Sequence, residues 1–339
     1  MKTANWNHET ASSSRDKSGG LTSQKGLRRQ IDSGKVGAML TYVDGRFVPD
    51  SEATISVRSR GLNYGLGCFA GVRGYLADDG QQVFVFRLDD HIRRLELSAK
   101  LLFLRSEPFA QARQAVVDLL RKNEVHFDVY LRPMVISNST ELSPVLREQD
   151  SSFIVYCLPL KRYIDKESID VCISSWRRTS DNAIPSRAKP TGGYLNSALA
   201  RREAFDNGFD EAILLTEAGM VSEGSAEHVF IVRDGQLISP PSTEHNLDGI
   251  TRRTLIQLAR EDLSLPIVER PVGRTELYTA DEMFLCGTGA EVTPVRSVDR
   301  RKVGDGNVGP ITTRLKGHFQ DVVHGRVPER TKWLTPIWG

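Results

Sequence analysis

The sequence predicts an α+β protein of two domains that follow an N-terminal tail. Strand-like and helix-like segments alternate irregularly along the 339 residues, unlike the regular βαβ array of a parallel-sheet fold. A chain of this length suits two domains that each bury a core. A polar stretch at 161–168 reads as an interdomain linker, so we place a smaller domain at 39–160 and a larger one at 169–339.

The first 38 residues differ in composition from the rest of the chain. They are rich in Ser, Gly, Asn, Lys and Arg and lack apolar periodicity, which predicts a disordered tail. A mitochondrial presequence is the alternative, but Glu9, Asp16 and Asp32 and the lack of an amphipathic face argue against it. No apolar segment typical of a secretory signal follows Met1. We therefore expect a cytoplasmic protein.

Composition and charge exclude several classes of partner. A hydrophobic content of 39% and a charged content of 26% are typical of globular proteins. The net charge of +2 favours neither nucleic acid nor a membrane surface, and no apolar run is long enough to span a bilayer. The four cysteines form no CxxC or Cys/His cluster, so we expect no metal site and, by weak inference, a reducing compartment.

The elements of the first half follow from turn signals and apolar spacing. "VDGR" places an Asp-Gly pair between short apolar runs and predicts a hairpin. Apolar residues recur at helical spacing in "DDHIRRLELSAKLLFL", which predicts a helix capped by Asp89 or Asp90. "FAQARQAVVDLLRKN" predicts a second helix, and "DVYLRPMVIS" and "SSFIVYCLPL" predict strands. This half therefore reads as an antiparallel sheet with two helices.

The second half begins with the strand "IDVCISSW" and continues into a loop that holds Lys189. A helix is predicted from about Leu195 to Asn207, with Gly208 as its C-cap. Glycine turns, one of them a second Asp-Gly hairpin, join the strands that follow. "GITRRTLIQLARED" predicts a helix with Thr251 as N-cap, and "GPITTRLKGHFQDVVHG" predicts the last helix.

Lys189 lies in a loop of prolines and glycines, where most lysines are solvated. A lysine amine, unlike a guanidinium, can lose its proton and form a Schiff base with a carbonyl. Pyridoxal phosphate chemistry would also require an acid at the ring nitrogen, a phosphate site and a group that holds the substrate carboxylate. Glu223, among small residues in "MVSEGSAEHVF", is a candidate for the acid, although a hairpin glutamate is the simpler interpretation.

Candidates for the other two requirements are present. Gly249, Ile250 and Thr251 open a predicted helix, whose free amides favour an anion. "GTG" at 287–289 ends a buried strand, and Arg94 could add charge. A plain helix cap, a turn and a solvated arginine are the alternatives. The candidates for the substrate carboxylate are Tyr130 and Arg132, which share one strand face, and Tyr64.

Taken in order, these segments resemble one family. The matching motifs are "LNYGLGCFAGVRGY", "DDHIRRLELSAK", "YLRP", "SSWRR" with "IPSRAKPTGGYLNS", "GFDEAILLTEAGMVSEGSAEHVF", "DGITRRTLIQLA" and "LYTADEMFLCGTGAEVTPVRSVD". From about residue 39 to the C-terminus, the chain resembles the branched-chain amino acid aminotransferases, which are fold-type IV pyridoxal-phosphate enzymes. The resemblance implies the two-domain architecture of that group and pyridoxal 5'-phosphate as cofactor.

The resemblance also implies a role for each matching residue. Lys189 would form the Schiff base and move the proton at the substrate Cα. Glu223 would pair with the ring nitrogen and Tyr194 with the ring hydroxyl. The implied phosphate ligands are Arg94, Ile250, Thr251 and Thr288. The implied substrate residues are Tyr64, Phe69, Arg73, Tyr130, Arg132, Gly289 and Ala290, with Gly71 on the same side of the pocket.

By the same resemblance, the substrates would be a branched-chain or similar hydrophobic L-amino acid and 2-oxoglutarate. The chain would form a homodimer or larger homo-oligomer in which a neighbour completes each site. The sequence departs from the family at Ala70 in "FAG", at Gly193, where an asparagine is usual, and at Ala226 and His228, where "GENxF" is usual. An aminodeoxychorismate lyase, a D-amino acid or amine transaminase, and a non-catalytic binding protein remain as alternatives.

Overall fold

The computed structural model describes residues 39–104, 109–146, 151–160 and 164–339. The predicted tail at 1–38 lies outside the described residues. The predicted domain boundaries remain a prediction.

Strands are the main elements of both halves of the chain. The first seven are β1 Leu40–Val43, β2 Arg46–Pro49, β3 Gly67–Phe69, β4 Val72–Leu76, β5 Val83–Phe86, β6 Val129–Ser137 and β7 Ser151–Pro159. The others are β8 Ile169–Arg177, β9 Glu211–Leu215, β10 Val221–Gly224, β11 His228–Arg233, β12 Gln236–Ser239, β13 Ile267–Glu269, β14 Glu282–Gly287, β15 Glu291–Val298, β16 Arg301–Lys302 and β17 Leu334–Pro336.

The α-helices are α1 Arg60–Tyr64, α2 Leu88–Leu101, α3 Phe109–Lys122, α4 Tyr194–Asp206, α5 Ile250–Gln257 and α6 Pro310–Val323. The helices predicted from sequence are confirmed, with α5 continuing into a π-helical turn over Leu258–Asp262, and α1 was not predicted. Both predicted N-caps are wrong. Arg87, at φ 49°, precedes α2 and pairs with Asp90, whereas Gly249 precedes α5 and leaves Thr251 inside the helix.

The first sheet is antiparallel, as predicted, with the strand order β17-β5-β4-β6-β7-β1-β2 and with β3 also paired to β6. The predicted hairpin joins β1 and β2, and Asp44 and Gly45 both adopt positive φ, as a tight hairpin turn requires. Helices α2 and α3 cover the apolar core of this sheet, in which Leu95 and Val116 are fully enclosed.

The second sheet is mixed, with the strand order β10-β9-β8-β15-β14-β11-β12-β13. β8 pairs in parallel with both β9 and β15, and the second Asp-Gly hairpin joins β11 and β12 as predicted. Buried apolar residues such as Ile213 and Leu285 fill its core.

The last strand returns to the first sheet, which the sequence did not predict. In β17, Leu334 pairs with Phe86 of β5. Tyr75 and Phe86 of the first sheet share one apolar cluster with Phe319 of α6 and Trp333. Because this cluster packs the two sheets against each other, residues from both can line one cavity.

Candidate active site

A cavity of about 640 Å³ lies between the two sheets. It brings together most residues predicted for the site. Those on its wall are Phe69, Gly71, Arg94, Tyr130, Arg132, Lys189, Tyr194, Ile250, Thr251, Thr288, Gly289 and Ala290. Glu223 lines a small adjoining cavity of about 50 Å³, whose wall also includes Lys189 and Tyr194. The two cavities therefore share part of their walls, at Lys189 and Tyr194.

The Lys189 loop is fastened to the first sheet through its backbone. The Lys189 amide donates to Ser98 Oγ of α2 at 3.2 Å, and its carbonyl accepts from the Phe69 amide at 3.1 Å. The Thr191 hydroxyl donates to the Gly65 carbonyl at 2.8 Å. A Cβ on Gly65 would lie only 2.8 Å from the Gly192 Cα, so the two backbones touch. The lysine is thus presented from a fixed loop.

The Lys189 amine has no hydrogen-bond or ion-pair partner among the described residues. Its Nζ lies 5.3 Å from the centroid of the Phe69 ring and 5.2 Å from that of the Tyr194 ring. Burial, followed by the charge of Arg94, lowers the pKa of Lys189 to about 7. A large fraction of the amine is therefore unprotonated at neutral pH, which is the form that attacks a carbonyl.

One end of the cavity is suited to an anion. Gly249 is extended, with φ −77° and ψ 126°, so α5 begins at Ile250 with its first amides unpaired by the helix. Thr251 is buried and lies on the cavity wall. Arg94 Nη1 donates to the Asp248 carbonyl at 3.1 Å, but Arg94 forms no ion pair within the described ranges. A buried cation beside a helix N-terminus is a typical phosphate site.

Glu223 is held in place from two directions. Arg178 Nη2 lies 2.8 Å from Glu223 Oε1, and the Leu247 amide donates to Oε2 at 3.2 Å. Tyr194 lies beside it on the first turn of α4, where burial and the charge of Glu223 raise the pKa of the phenol to about 12. The phenol is therefore a protonated donor at neutral pH.

The opposite end carries an arginine that makes few contacts. Tyr130 and Arg132 share one face of β6, and Arg132 Nε and Nη2 donate to the Tyr130 hydroxyl at 3.0 and 2.8 Å. The guanidinium lies 4.2 Å from the centroid of the Phe69 ring. In the part of the chain that the structure describes, Arg132 has no carboxylate partner. A Cβ on Gly71 would lie 2.5 Å from the Tyr130 hydroxyl, so only glycine leaves that hydroxyl in place.

Two predicted residues line neither cavity. Tyr64 ends α1 and is 41% exposed. Arg73 is buried and donates to Glu291 Oε1 at 2.9 Å and to the Leu160 carbonyl at 3.1 Å. Arg73 therefore supports the wall formed by Leu160 from behind. Ala70, one of the departures noted in the sequence, is wholly buried in the core of the first sheet.

Sequence reasoning missed several residues of the wall. Tyr156 lies opposite Arg132 and Leu158 opposite Tyr130 across β6 and β7, and both side chains face the cavity. The alternation in "SSFIVYCLPL" could have identified them. Glu227 and His228 also line the cavity. Burial, followed by the charge of Glu211, raises the pKa of Glu227 to about 8.

The sequence of this chain matches those of known aminotransferases. Residues 67–298 match the family model of the class IV amino-transferases. A probable branched-chain-amino-acid aminotransferase of Aquifex aeolicus is 42% identical over 88% of this chain and 96% of its own length. A branched-chain-amino-acid aminotransferase of Escherichia coli K12 is 37% identical over 87% of this chain and 96% of its own length.

Solved structures show the same fold. A branched-chain aminotransferase from Thermoproteus uzoniensis with norvaline has a TM-score of 0.84 and 40% identity, and the match covers 89% of this chain and all of that one. A branched-chain amino acid aminotransferase of T.th., complexed with N-(5'-phosphopyridoxyl)-L-glutamate, has a TM-score of 0.85 and 37% identity over the same shares. The predicted fold class is confirmed by these likenesses. No described helix has the length and apolar character of a membrane span.

Proposed function

Given that this chain belongs to the branched-chain amino acid aminotransferase family, within the class IV aminotransferases that depend on pyridoxal phosphate, we propose that Lys189 carries the cofactor as a Schiff base. We propose that the enzyme moves the amino group between a hydrophobic L-amino acid of the branched-chain type and 2-oxoglutarate. The observation that carries the proposal is the Lys189 amine, which has no partner among the described residues and lines both the cavity at the N-terminus of α5 and the adjoining cavity of Glu223.

The charges of the cavity fit this cofactor. Arg94, Lys189 and Arg132 all face the cavity, and none has a carboxylate partner among the described residues. Such a set suits a bound phosphate at one end and a substrate carboxylate at the other. Arg94, Ile250, Thr251 and Thr288 would hold the phosphate, Tyr194 the ring hydroxyl and Glu223 the ring nitrogen. When bound, pyridoxal phosphate supplies an electron sink for the charge left on the substrate Cα.

Lys189 has a second role in the proposal, as the base that removes the proton from the substrate Cα. Its pKa of about 7 suits proton transfer in both directions near neutral pH. Arg94 contributes to this pKa because its positive charge disfavours a second one nearby. The fixed loop would keep the amine at the same end of the cavity throughout.

One cavity must accept both an apolar side chain and a γ-carboxylate. Phe69, Tyr156, Leu158 and Leu160 give the substrate end an apolar wall, and Arg132 adds a charge at its edge. Norvaline in one related structure and a cofactor–glutamate adduct in another are the two kinds of ligand that this wall would receive. We propose that Arg132 accommodates the second carboxylate of glutamate, directly or through Tyr130.

Replacement of Lys189 tests the central assignment. Lys189→Ala should keep the fold, measured by circular dichroism and thermal melting, and should lose transamination and borohydride-trappable cofactor. Lys100→Ala, which alters an exposed lysine on α2, is the matched control and should retain both. Turnover near the wild-type rate in Lys189→Ala would refute the role of this lysine. A screen of L- and D-amino donors against 2-oxoglutarate identifies the substrates and separates this activity from that of a D-amino acid transaminase.

We also propose that the chain forms a homodimer through the surface around α1. Ile55, Val57 and Leu62 are exposed there, and Leu142 and Val145 are exposed on the adjacent loop, which Arg60 holds by hydrogen bonds to Ser143 and Val145 carbonyls. An exposed apolar patch of this kind is typical of an interface. Tyr64 belongs to the same surface, so it would serve the site of a second copy.

Sedimentation of a charge-bearing variant tests the dimer. Leu62→Glu should yield monomers, because a carboxylate buried in an apolar interface is strongly unfavourable. Phe205→Glu places the same charge at an exposed apolar site on α4 and should leave the oligomer intact. An unchanged sedimentation coefficient for Leu62→Glu would contradict the proposed interface.

A further inference from the structure

His228 stands where the family motif has an asparagine, and it occupies the junction between the two cavities. It is the first residue of β11, its side chain is 7% exposed, and it lines both spaces. One edge of the imidazole, at Nδ1, lies 3.7 Å from Glu223 Oε2. The other edge, at Nε2, faces the backbone of Gly249.

The contact with Gly249 leaves no room for a side chain. A Cβ built on Gly249 would lie 2.0 Å from His228 Nε2 and 2.4 Å from Cδ2. The φ of Gly249 is −77°, which any residue adopts, so glycine is required here for space and not for conformation. The imidazole ring and the residue that opens α5 are therefore complementary in shape.

We propose that His228 is a positioning residue that fixes the carboxylate of Glu223 relative to the anion-binding turn at Gly249. The proposal rests on the proposed function, because these two points would hold the opposite ends of one cofactor ring. A rigid spacer between them sets the distance between the ring-nitrogen partner and the phosphate site. Glu223 is then restrained on three sides, by Arg178, by the Leu247 amide and by the imidazole.

The imidazole is neutral in this position. The charged groups that face it are Arg252 of α5, Lys189 of its loop, Arg94 of α2, Arg178 after β8 and Glu223 of β10. Burial, followed by these positive charges, lowers the pKa of His228 well below its ordinary value. A neutral ring adds no charge beside Glu223.

At 3.7 Å the Nδ1 to Oε2 distance exceeds that of a hydrogen bond, so the contact is one of packing and dipole orientation. A smaller side chain at position 228 would leave the Glu223 carboxylate without a restraint on that side. A larger side chain at 249 would displace the ring toward Glu223. The two positions should therefore be coupled energetically, as residues in direct contact are.

A double-mutant cycle tests the spacer. His228→Asn, Gly249→Ala and the double variant are prepared as apoproteins, and their dissociation constants for pyridoxal phosphate and their melting temperatures without cofactor are measured. Gly249→Ala alone should weaken cofactor binding about tenfold, and the double variant should recover to within about twofold of His228→Asn. Additive losses would overturn the proposal, because the ring and the glycine would then act independently.

A second measurement separates positioning from a merely structural role. His228→Asn should shift the pH titration of the visible absorbance of the bound cofactor while the melting temperature of the apoprotein stays within a few degrees of wild type. In a Glu223→Gln background the same substitution should produce no shift, since the carboxylate through which His228 acts is gone. A shift that persists there, or a change in melting temperature alone, would overturn the proposal. Failure of the wild-type protein to bind pyridoxal phosphate would instead contradict the proposed function.

Discussion

The two ends of the cavity hold their charges in different ways. At the end proposed to bind the cofactor, Glu223 has both an ion pair and an amide donor, and Arg94 donates to a backbone carbonyl. At the proposed substrate end, the described contacts of Arg132 are with the hydroxyl and ring of Tyr130 and with the face of Phe69, none of them a carboxylate. The first end is organised for a single ligand of fixed shape. At the second end, Arg132 can pair with the carboxylate of one substrate and remain unpaired beside the apolar side chain of another.

The two ends of the cavity are also built from different kinds of secondary structure. The end proposed for the cofactor is built from a loop, a helix N-terminus and strand ends of the second sheet, where unpaired backbone amides are available to a ligand. The substrate end is built from two long paired strands, β6 and β7, whose alternate side chains face the cavity. Substitutions at the first end should therefore affect all substrates alike, and those at the second should affect them selectively.

The largest expected effect is that of Glu223→Gln. A neutral amide cannot hold the ring nitrogen protonated, so the transition state loses an interaction that the ground state does not depend on. Both kcat and kcat/KM should fall by the order of a hundredfold, equally for hydrophobic donors and for glutamate. Steady-state kinetics measures this, with the exposed turn variant Glu217→Gln as control. An unchanged kcat would make Glu223 a hairpin residue only.

Arg132→Met should lower kcat/KM for glutamate more than for a neutral amino acid. The loss of one charge-assisted pair costs about 1.5–3 kcal/mol, or roughly ten- to a hundredfold in kcat/KM. The loss should fall on the glutamate half-reaction and spare the half-reaction with a neutral amino acid. Single-turnover kinetics follows each half separately. Equal losses would mean that Arg132 binds the α-carboxylate or shapes the pocket for both.

Capture of the cofactor should depend on pH through Lys189. Burial and Arg94 lower its pKa to about 7, so the amine is mostly unprotonated above that pH and increasingly protonated below it. The rate at which apoprotein gains visible absorbance with pyridoxal phosphate should fall about tenfold per unit below pH 7 and level off above it. A rate that keeps rising toward pH 10 would show an ordinary lysine pKa.

Gly71→Ala should act at the substrate end through the ring of Tyr130. The new Cβ would lie 2.5 Å from the Tyr130 hydroxyl, so the ring must move and its hydrogen bonds with Arg132 must weaken. Overpacking costs about 1 kcal/mol at the low end of its usual range. The kcat/KM for glutamate should therefore fall roughly fivefold. Gly317→Ala on α6, where a Cβ meets nothing, is the control and should leave activity unchanged. Equal losses for leucine and glutamate would contradict the route through Arg132.

The two ends also differ in how far the sequence predicts them. Motifs of fixed spacing predict roles for Lys189, Glu223 and the opening of α5, and these residues line the two adjoining cavities. The predicted N-caps of α2 and α5 were wrong. A side chain that can cap a helix need not do so when the backbone conformation of the preceding residue, here Arg87 or Gly249, already starts the helix. Pairwise contacts were harder to predict.

Tyr156 and Arg73 illustrate this difficulty. The place of Tyr156 depends on the register of β7 against β6, and that of Arg73 depends on Glu291, 218 residues away. The pairing of β17 with β5 is equally remote in sequence. The alternation in β7 indicates which of its residues share a face, but not which strand lies opposite them. The Arg73–Glu291 contact and the pairing of β17 with β5 leave no local pattern at all.

The smallest effect concerns Gly193, where the family has an asparagine. Gly193 precedes α4 with φ −68° and ψ −18°, and a Cβ there would meet Pro190 Cγ at 3.3 Å. Gly193→Ala should therefore change the free energy of unfolding by less than about 1 kcal/mol, as measured by denaturant unfolding, because the backbone angles suit alanine while the new Cβ crowds Pro190. Cofactor affinity should not change. Gly65→Ala is the contrasting variant, because Gly65 has φ 66° and lies against Gly192. It should destabilise the protein and loosen the lysine loop. If Gly193→Ala and Gly65→Ala changed the free energy of unfolding equally, the contact between the Gly65 and Gly192 backbones could not be what makes the cofactor end rigid.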